Sequence, residues 1–227
     1  MIGGVVAASG RRRSAIILPP SYVDATFTTV TSGTTTVAAV VPSGSGKLYA
    51  FCEANASTTT WACSHSGVIT PTVIDGNSPI DDLTRASRFF EHPGDGSEGT
   101  PGSTITFTRS GTTTGIAGVL LVRIANAGTV QSCRFVSSNS SVVTITGRTS
   151  VAADTLFLQF VAMTATTSTT WGEPVGTTEH YDGASPGVIH AAVGSDVIGV
   201  GASGDRAWTR SSGSGTNRAG GLLINAA

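Results

Sequence analysis

Charge is what this chain has least of. Only 12% of its 227 residues are Asp, Glu, Lys or Arg, and 13 basic side chains stand against 14 acidic ones, for a formal net charge of -1. A nucleic-acid partner demands a basic patch or stripe to meet its phosphates. The one basic run, Arg11-Arg12-Arg13, stands alone, so no nucleic acid is expected. Long apolar runs are missing too. No segment reaches the roughly 18 continuous apolar residues of a membrane span, which excludes insertion by a helix. Met1 to Ala8 is apolar, but its arginines follow rather than precede it and the stretch is short and Gly-rich, unlike an export signal. The expectation is a protein made in the cytoplasm without a leader.

Cysteine is nearly absent, and the three present, Cys52, Cys63 and Cys133, cannot all pair within one chain. Cys52 and Cys63 flank the Thr58-Thr59-Thr60 turn, where a cross-hairpin disulfide is geometrically conceivable. The alternative is three small buried hydrophobes in a reducing compartment.

Catalytic and metal-binding patterns are also lacking. His65, His92, His180 and His190 are scattered, without the spacing of a zinc site. Asp75, Asn77, Asp81 and Asp82 resemble the start of a calcium loop, yet Ala86 stands where the bidentate Glu belongs. Gly44-Ser45-Gly46-Lys47 resembles the end of a phosphate loop, but Val41 replaces the first glycine and Leu48 the magnesium hydroxyl, so it reads as a hairpin turn. Asp81, Asp82, Glu91, Asp95 and Glu98 lie in or near polar turns and read as solvated charges rather than a glycosidase pair. No nucleophile elbow precedes a helix. No catalytic residue, metal or cofactor is therefore assigned.

What is abundant is Ser and Thr, about a quarter of the chain, together with 29 glycines. Such a composition suits short strands joined by tight turns. The chain also reads twice, with an offset of about 100 residues. Leu48-Tyr49-Ala50-Phe51-Cys52 returns as Leu156-Phe157-Leu158-Gln159-Phe160, and Trp61 as Trp171. Thr108-Arg109-Ser110 and the run Ala117-Gly118-Val119-Leu120-Leu121-Val122 return as Thr209-Arg210-Ser211 and Ala219-Gly220-Gly221-Leu222-Leu223-Ile224.

Apolar and alternating runs bounded by turn residues predict strands at 27–30, 36–41, 47–53, 61–65, 68–74, 85–91, 104–108 and 116–124. The second half predicts them at 141–146, 155–163, 171–173, 179–182, 187–193, 207–210 and 219–224. The fold class is all-β: an antiparallel, jelly-roll-like β-sandwich built from two repeated halves, about 23–127 and 128–227, that share one core. Two tandem small domains are the alternative.

Residues 1–22 read as an extended arm, with Arg11, Arg12 and Arg13, the apolar Ile16, Ile17 and Leu18, and a Pro19-Pro20 step that enforces extension. These side chains are the candidates for docking the arm onto a partner. Trp61 and Trp171, as repeat equivalents after Thr-rich turns, are expected to pack structurally. Arg206, Trp208 and Arg210 alternate onto one strand face. If exposed, that face is a glycan-recognition patch, with Asp81 and Asp82 as further candidates. If it is buried, the arginines must be paired and the patch fails.

A Gly-rich, Arg-containing arm ahead of a duplicated Ser/Thr-rich β-domain resembles the small peripheral virion proteins of tailed bacteriophages. The likeness is carried by residues 47–53, Trp61, 85–91, the Gly94 to Gly99 turn with Glu98, 104–110 and 117–124, then by the echoes at 155–171 and 219–224. It implies a non-enzymatic structural component of a virion, anchored to other virion proteins by the arm. A homo-oligomer, with a trimer favoured, would match a symmetric particle. The leading expectation is a tail-fibre or tail-tip protein that presents the sandwich to host-surface glycans. The alternative is a capsid decoration or neck protein that stabilises the particle, and a glycan-degrading enzyme stands third.

Overall fold

The computed structural model describes residues 17–54, 60–64, 72–73, 86–92, 99–111, 115–164, 169–184, 189–213 and 215–227. Among these there is no helix and every element is a strand. The first eight strands are β1 (Ser21–Val30), β2 (Thr36–Val40), β3 (Lys47–Ala54), β4 (Thr60–Ser64), β5 (Thr72–Val73), β6 (Ala86–His92), β7 (Thr104–Ser110) and β8 (Ala117–Ala125). They make an antiparallel sheet of order β1-β8-β3-β6-β5 and a second of order β2-β7-β4. Asn126, at φ 54°, turns the chain into the second half.

There the strands are β9 (Ala127–Ser138), β10 (Val142–Ile145), β11 (Thr149–Ser150), β12 (Thr155–Thr164), β13 (Trp171–Gly172), β14 (Thr178–Ala184), β15 (Ile189–Ile198), β16 (Gly201–Ala202), β17 (Arg206–Arg210) and β18 (Asn217–Ala226). Their sheets run β9-β18-β12-β15-β14 and β10-β17-β13, with β11 and β16 as a short extra pair. This repeats the first half strand for strand. Interleaving the first, last, third and sixth strands in one sheet is the jelly-roll connection. Each half is therefore a jelly roll of its own.

The single shared core expected from sequence is replaced by three. Val37, Leu48, Cys52, Trp61, Phe90, Ile105 and Phe107 belong to the core between the two sheets of the first half. Val143, Phe157, Val161, Met163, Trp171, Trp208 and Leu223 belong to that of the second. The third core lies between the two five-stranded sheets, where Tyr49, Phe51, Leu120 and Val122 meet Leu156, Leu158, Phe160 and Leu222. Strands buried on both faces read as continuous apolar runs, which is why β3, β8, β12 and β18 dominate the repeat.

The seam between the halves is clamped by aromatic rings. Phe89 stacks on Phe135 at 4.5 Å and meets Phe160 at 5.1 Å, while Phe51 lies 5.7 Å from Phe160. Gly220 permits this, since a Cβ there would stand 2.4 Å from the Phe89 ring. Beside the rings, Arg218 Nε stands 3.8 Å from Glu53 Oε1, with both side chains buried, and the Ser87 hydroxyl donates to the same carboxylate.

Ladder register corrects the repeat alignment by one residue. Tyr49 faces Val122 and Leu156 faces Ile224, so Tyr49, not Leu48, is the partner of Leu156. A slip of one residue exchanges the faces of a strand, and indeed Leu48 points into the first half's own core while Leu156 points into the seam. The alignment of Trp61 with Trp171 and of Arg109 with Arg210 stands, because each Trp pairs with its Arg across the ladder. The sequence pattern predicts no strand over 127–138, where β9 lies. It is an edge strand whose residues, such as Gln131, Ser132 and Arg134, are half-buried and carry no apolar period. Strand β1 starts at Ser21, inside the expected arm, and pairs from there with β8.

The cysteines do not pair. Cys52 lies on β3 and Cys63 on β4, in different sheets, and all three cysteines are buried and outside any disulfide. Burial pushes the Cys63 thiol up to about 12 and Cys52 well above its usual range, so neither is a reactive thiolate at neutral pH.

Candidate functional site

An open cleft of about 270 Å³ lies at one end of the seam, where the start of β1 approaches β14 and β15. Its most ordered feature is a flat pair of rings, Tyr22 from the first half and His180 from the second, with centroids 4.0 Å apart and planes 2° from parallel. His180 is the extra residue of a β-bulge, since Glu179 faces Gly194 and Tyr181 already faces Val193. Bulges re-aim side chains next to functional sites, and this one turns the imidazole to Ser195, whose Oγ lies 2.7 Å from Nε2. Pro20, Leu156 and Val197 supply apolar walls; Ser21, Thr178 and Ser195 supply hydroxyls.

Burial lowers the His180 pKa, which favours the neutral ring. A neutral histidine bonded to a serine is half of a nucleophilic site. The other half is missing among the described residues: Ser195 sits inside β15 and is paired with both Leu158 and Thr178. Ladders on both sides occupy the backbone N–H groups that an oxyanion hole would need. The arrangement suits binding better than acyl transfer.

Asp196, next along β15, faces the interior of the second half. It receives Arg206 Nη2 at 2.5 Å and Gln159 Nε2 at 2.7 Å, and Gln159 Oε1 in turn accepts from Trp208 Nε1 at 3.0 Å. The Arg206 guanidinium also lies over the Phe157 ring, 5.7 Å from its centroid. This network settles the expected glycan patch against it. Trp208 is fully buried, Arg206 is paired with Asp196, and Arg210 donates to the Gly215 carbonyl and to Asn217. The three residues do share one strand face, but that face points inward. Trp61 and Trp171 are core residues as well.

No family model, no curated protein and no solved structure matches the chain.

Asp81 and Asp82 lie outside the described residues, as do Asp75, Asn77, Asp95 and Glu98. Glu91 is tied to Lys47 Nζ at 2.6 Å. Of the arm candidates, Arg11, Arg12, Arg13 and Ile16 lie outside the described residues, while Ile17 and Leu18 are 66% and 56% exposed. Burial raises the carboxyl pKa values of Glu179 and Asp182, and the neighbouring acids Asp182 and Glu173 add to the shift at Glu179. No group of His, Cys, Asp and Glu that could hold a metal occurs among the described residues, and no helix there is long and apolar enough to cross a membrane. The residues missed from sequence are Tyr22, His180 and Ser195. Only the pairing of β14 with β15 and the packing of β1 beside them brings the three together, so local sequence carries no signal of it.

Proposed function

We propose that the protein is a non-enzymatic structural component of a tailed-phage particle, held by its N-terminal arm, with the double jelly roll turned outward at a tail fibre or tip to meet host-surface glycans. The observation that carries the anchoring part is the contrast at Pro19-Pro20. Beyond β1, where Asn126 Nδ2 holds the Pro19 carbonyl at 3.3 Å, Ile17 and Leu18 stand uncovered, whereas the large apolar residues of the central strands are buried. Uncovered aliphatics on an extended segment favour docking to a partner surface. Replacing both with Asp should abolish incorporation into particles while leaving the melting temperature of the isolated protein unchanged. Incorporation at the normal level would sink the anchoring idea.

Burial of Trp61, Trp171 and Trp208 favours a second reading, a decoration or neck protein with no receptor, because it removes every tryptophan from the surface. Cryo-electron microscopy of the intact particle separates the two. Density at the fibre or tip supports attachment, and density on the capsid or neck supports cementing. A trimer, expected for a fibre, would show as three times the chain mass in light scattering.

A further inference from the structure

The two ends of the seam are built from equivalent positions but finished differently. Tyr49 faces Glu91 on β6, and its equivalent Leu156 faces Val197 on β15, so Glu91 and Val197 correspond. At the first end the seam is bridged. Lys47 Nζ reaches across it, bonding Glu91 Oε1 at 2.6 Å and the Gly128 carbonyl at 2.5 Å. At the second end, Val197 replaces the acid and Asp154 stands at the position equivalent to Lys47, so no such clasp forms and the cleft remains open.

We propose that this open end of the seam binds one neutral sugar residue, seated against the Tyr22–His180 pair and hydrogen-bonded by Ser195 and its neighbours. Size sets the first limit. A volume of about 270 Å³ falls at the low edge of small-molecule sites, roughly 300–1,000 Å³, and is matched by a single ring seated in the cleft. The lining sets the second. A few hydroxyls and an imidazole converge over apolar walls, the mixture that orients a small polar ligand while desolvating one of its faces. A pyranose has such a pair of surfaces, with hydroxyls around its rim and C–H groups on its face.

Charge sets the third limit. Both oxygens of the Asp196 carboxylate are already engaged, by Gln159 and Arg206, and Arg206 balances its charge. The imidazole is favoured in its neutral form by burial. Nothing lining the cleft is left to hold an ionic ligand, so a charged sugar would lose hydration without gaining a partner. Engagement of Ser195 with His180 does not close the site. In either tautomer the pair exposes one donor and one acceptor, at Nδ1 and at the serine hydroxyl.

The site rests on the attachment reading for its biological role, and the test keeps the two apart. Saturation-transfer NMR on the full chain would use the methyl glycosides of glucose, galactose, mannose, rhamnose and N-acetylglucosamine, with methyl glucuronide as the charged counterpart. Transfer to at least one neutral glycoside is expected, weakened about tenfold or more by Val197→Trp and by His180→Ala. Val197 is 55% exposed, so the Trp variant narrows the cleft without touching a core and remains informative if His180→Ala unfolds. No transfer to any neutral glycoside, undiminished binding by a folded Val197→Trp protein, or a preference for the glucuronide would overturn the proposal. Glycoside binding lost in Val197→Trp while particles carrying that variant adsorb normally would leave the site standing and sink the attachment role.

Discussion

The first and second halves follow one strand plan yet fill their cores by opposite means. Ladder register makes Cys52 equivalent to Gln159, Phe90 to Asp196, Ile105 to Arg206 and Phe107 to Trp208. In the first half these four positions are apolar, with Phe90 and Phe107 in edge contact at 5.6 Å. In the second they form the chain Trp208–Gln159–Asp196–Arg206. A jelly roll thus accepts a polar network in its core when every member finds a partner, because the cost of burying a polar group is that of leaving it unbonded. At the seam both halves present the same sheet face to each other, as subunits do in an isologous dimer, and the ion pair buried there, Arg218 with Glu53, joins the two halves.

The largest effect should come from breaking that pair on one side only. Arg218→Met leaves the Glu53 carboxylate buried beside an apolar side chain, which should cost about 3–5 kcal/mol in urea denaturation. Adding Glu53→Leu should return most of the loss, since two well-packed apolar groups can replace a buried ion pair. A loss under about 1 kcal/mol for the single variant would mean that the seam does not depend on the pair.

Core chemistry comes next in size. Gln159→Leu removes the acceptor of Trp208 Nε1 and a donor to Asp196, which should cost about 1–3 kcal/mol. Installing the first half's whole set, Gln159→Cys, Asp196→Phe, Arg206→Ile and Trp208→Phe, should cost less than the single change. If the quadruple variant is the weaker one, the two cores are not interchangeable solutions and the comparison fails. A smaller contrast separates two equivalent glycines. Gly220→Ala would put a Cβ 2.4 Å from Phe89 in the middle of the seam, whereas at Gly118 the nearest atom is 2.9 Å away, on the half-buried Phe27. Overpacking of about 1–3 kcal/mol is expected at Gly220 and less at Gly118, read as the difference between the two melting temperatures.

These differences mark what sequence could and could not disclose. The duplicated plan was legible because the doubly buried strands β3, β8, β12 and β18 repeat their apolar runs. Their faces were not, since in a continuous apolar run nothing says which side a residue takes, and the alignment slipped by one at Leu48. Alternation placed Arg206, Trp208 and Arg210 together correctly. Whether that face met water depended on Gln159 and Asp196, distant residues whose contribution only the ladders reveal. Edge strand β9, half-wet and without an apolar period, left no pattern at all. The seam cleft was illegible for a further reason: it is made by a bulge at His180 and by the approach of β1 from the other half.

The smallest expected effect tests that cleft through its titration. In the unfolded chain His180 takes up a proton near its usual value of about 6.5, whereas in the folded chain burial lowers the pKa and the proton binds only at lower pH. Between the two values the unfolded state holds more protons, so stability falls as pH falls below about 6.5 and the loss is complete below the folded pKa. Glu179 and Asp182, whose carboxyls burial raises, act in the opposite direction, because the folded state holds their protons more tightly. The informative quantity is therefore a difference between proteins. His180→Gln keeps a partner for Ser195 but cannot titrate, so its stability should decline less than that of the parent from neutral pH to mildly acid pH. Val197→Trp, which narrows the cleft and further dehydrates the ring, should steepen the decline. Parallel curves for all three proteins would mean that the imidazole is as well hydrated folded as unfolded, and the contrast between an open and a clasped end of the seam would then carry no electrostatic consequence.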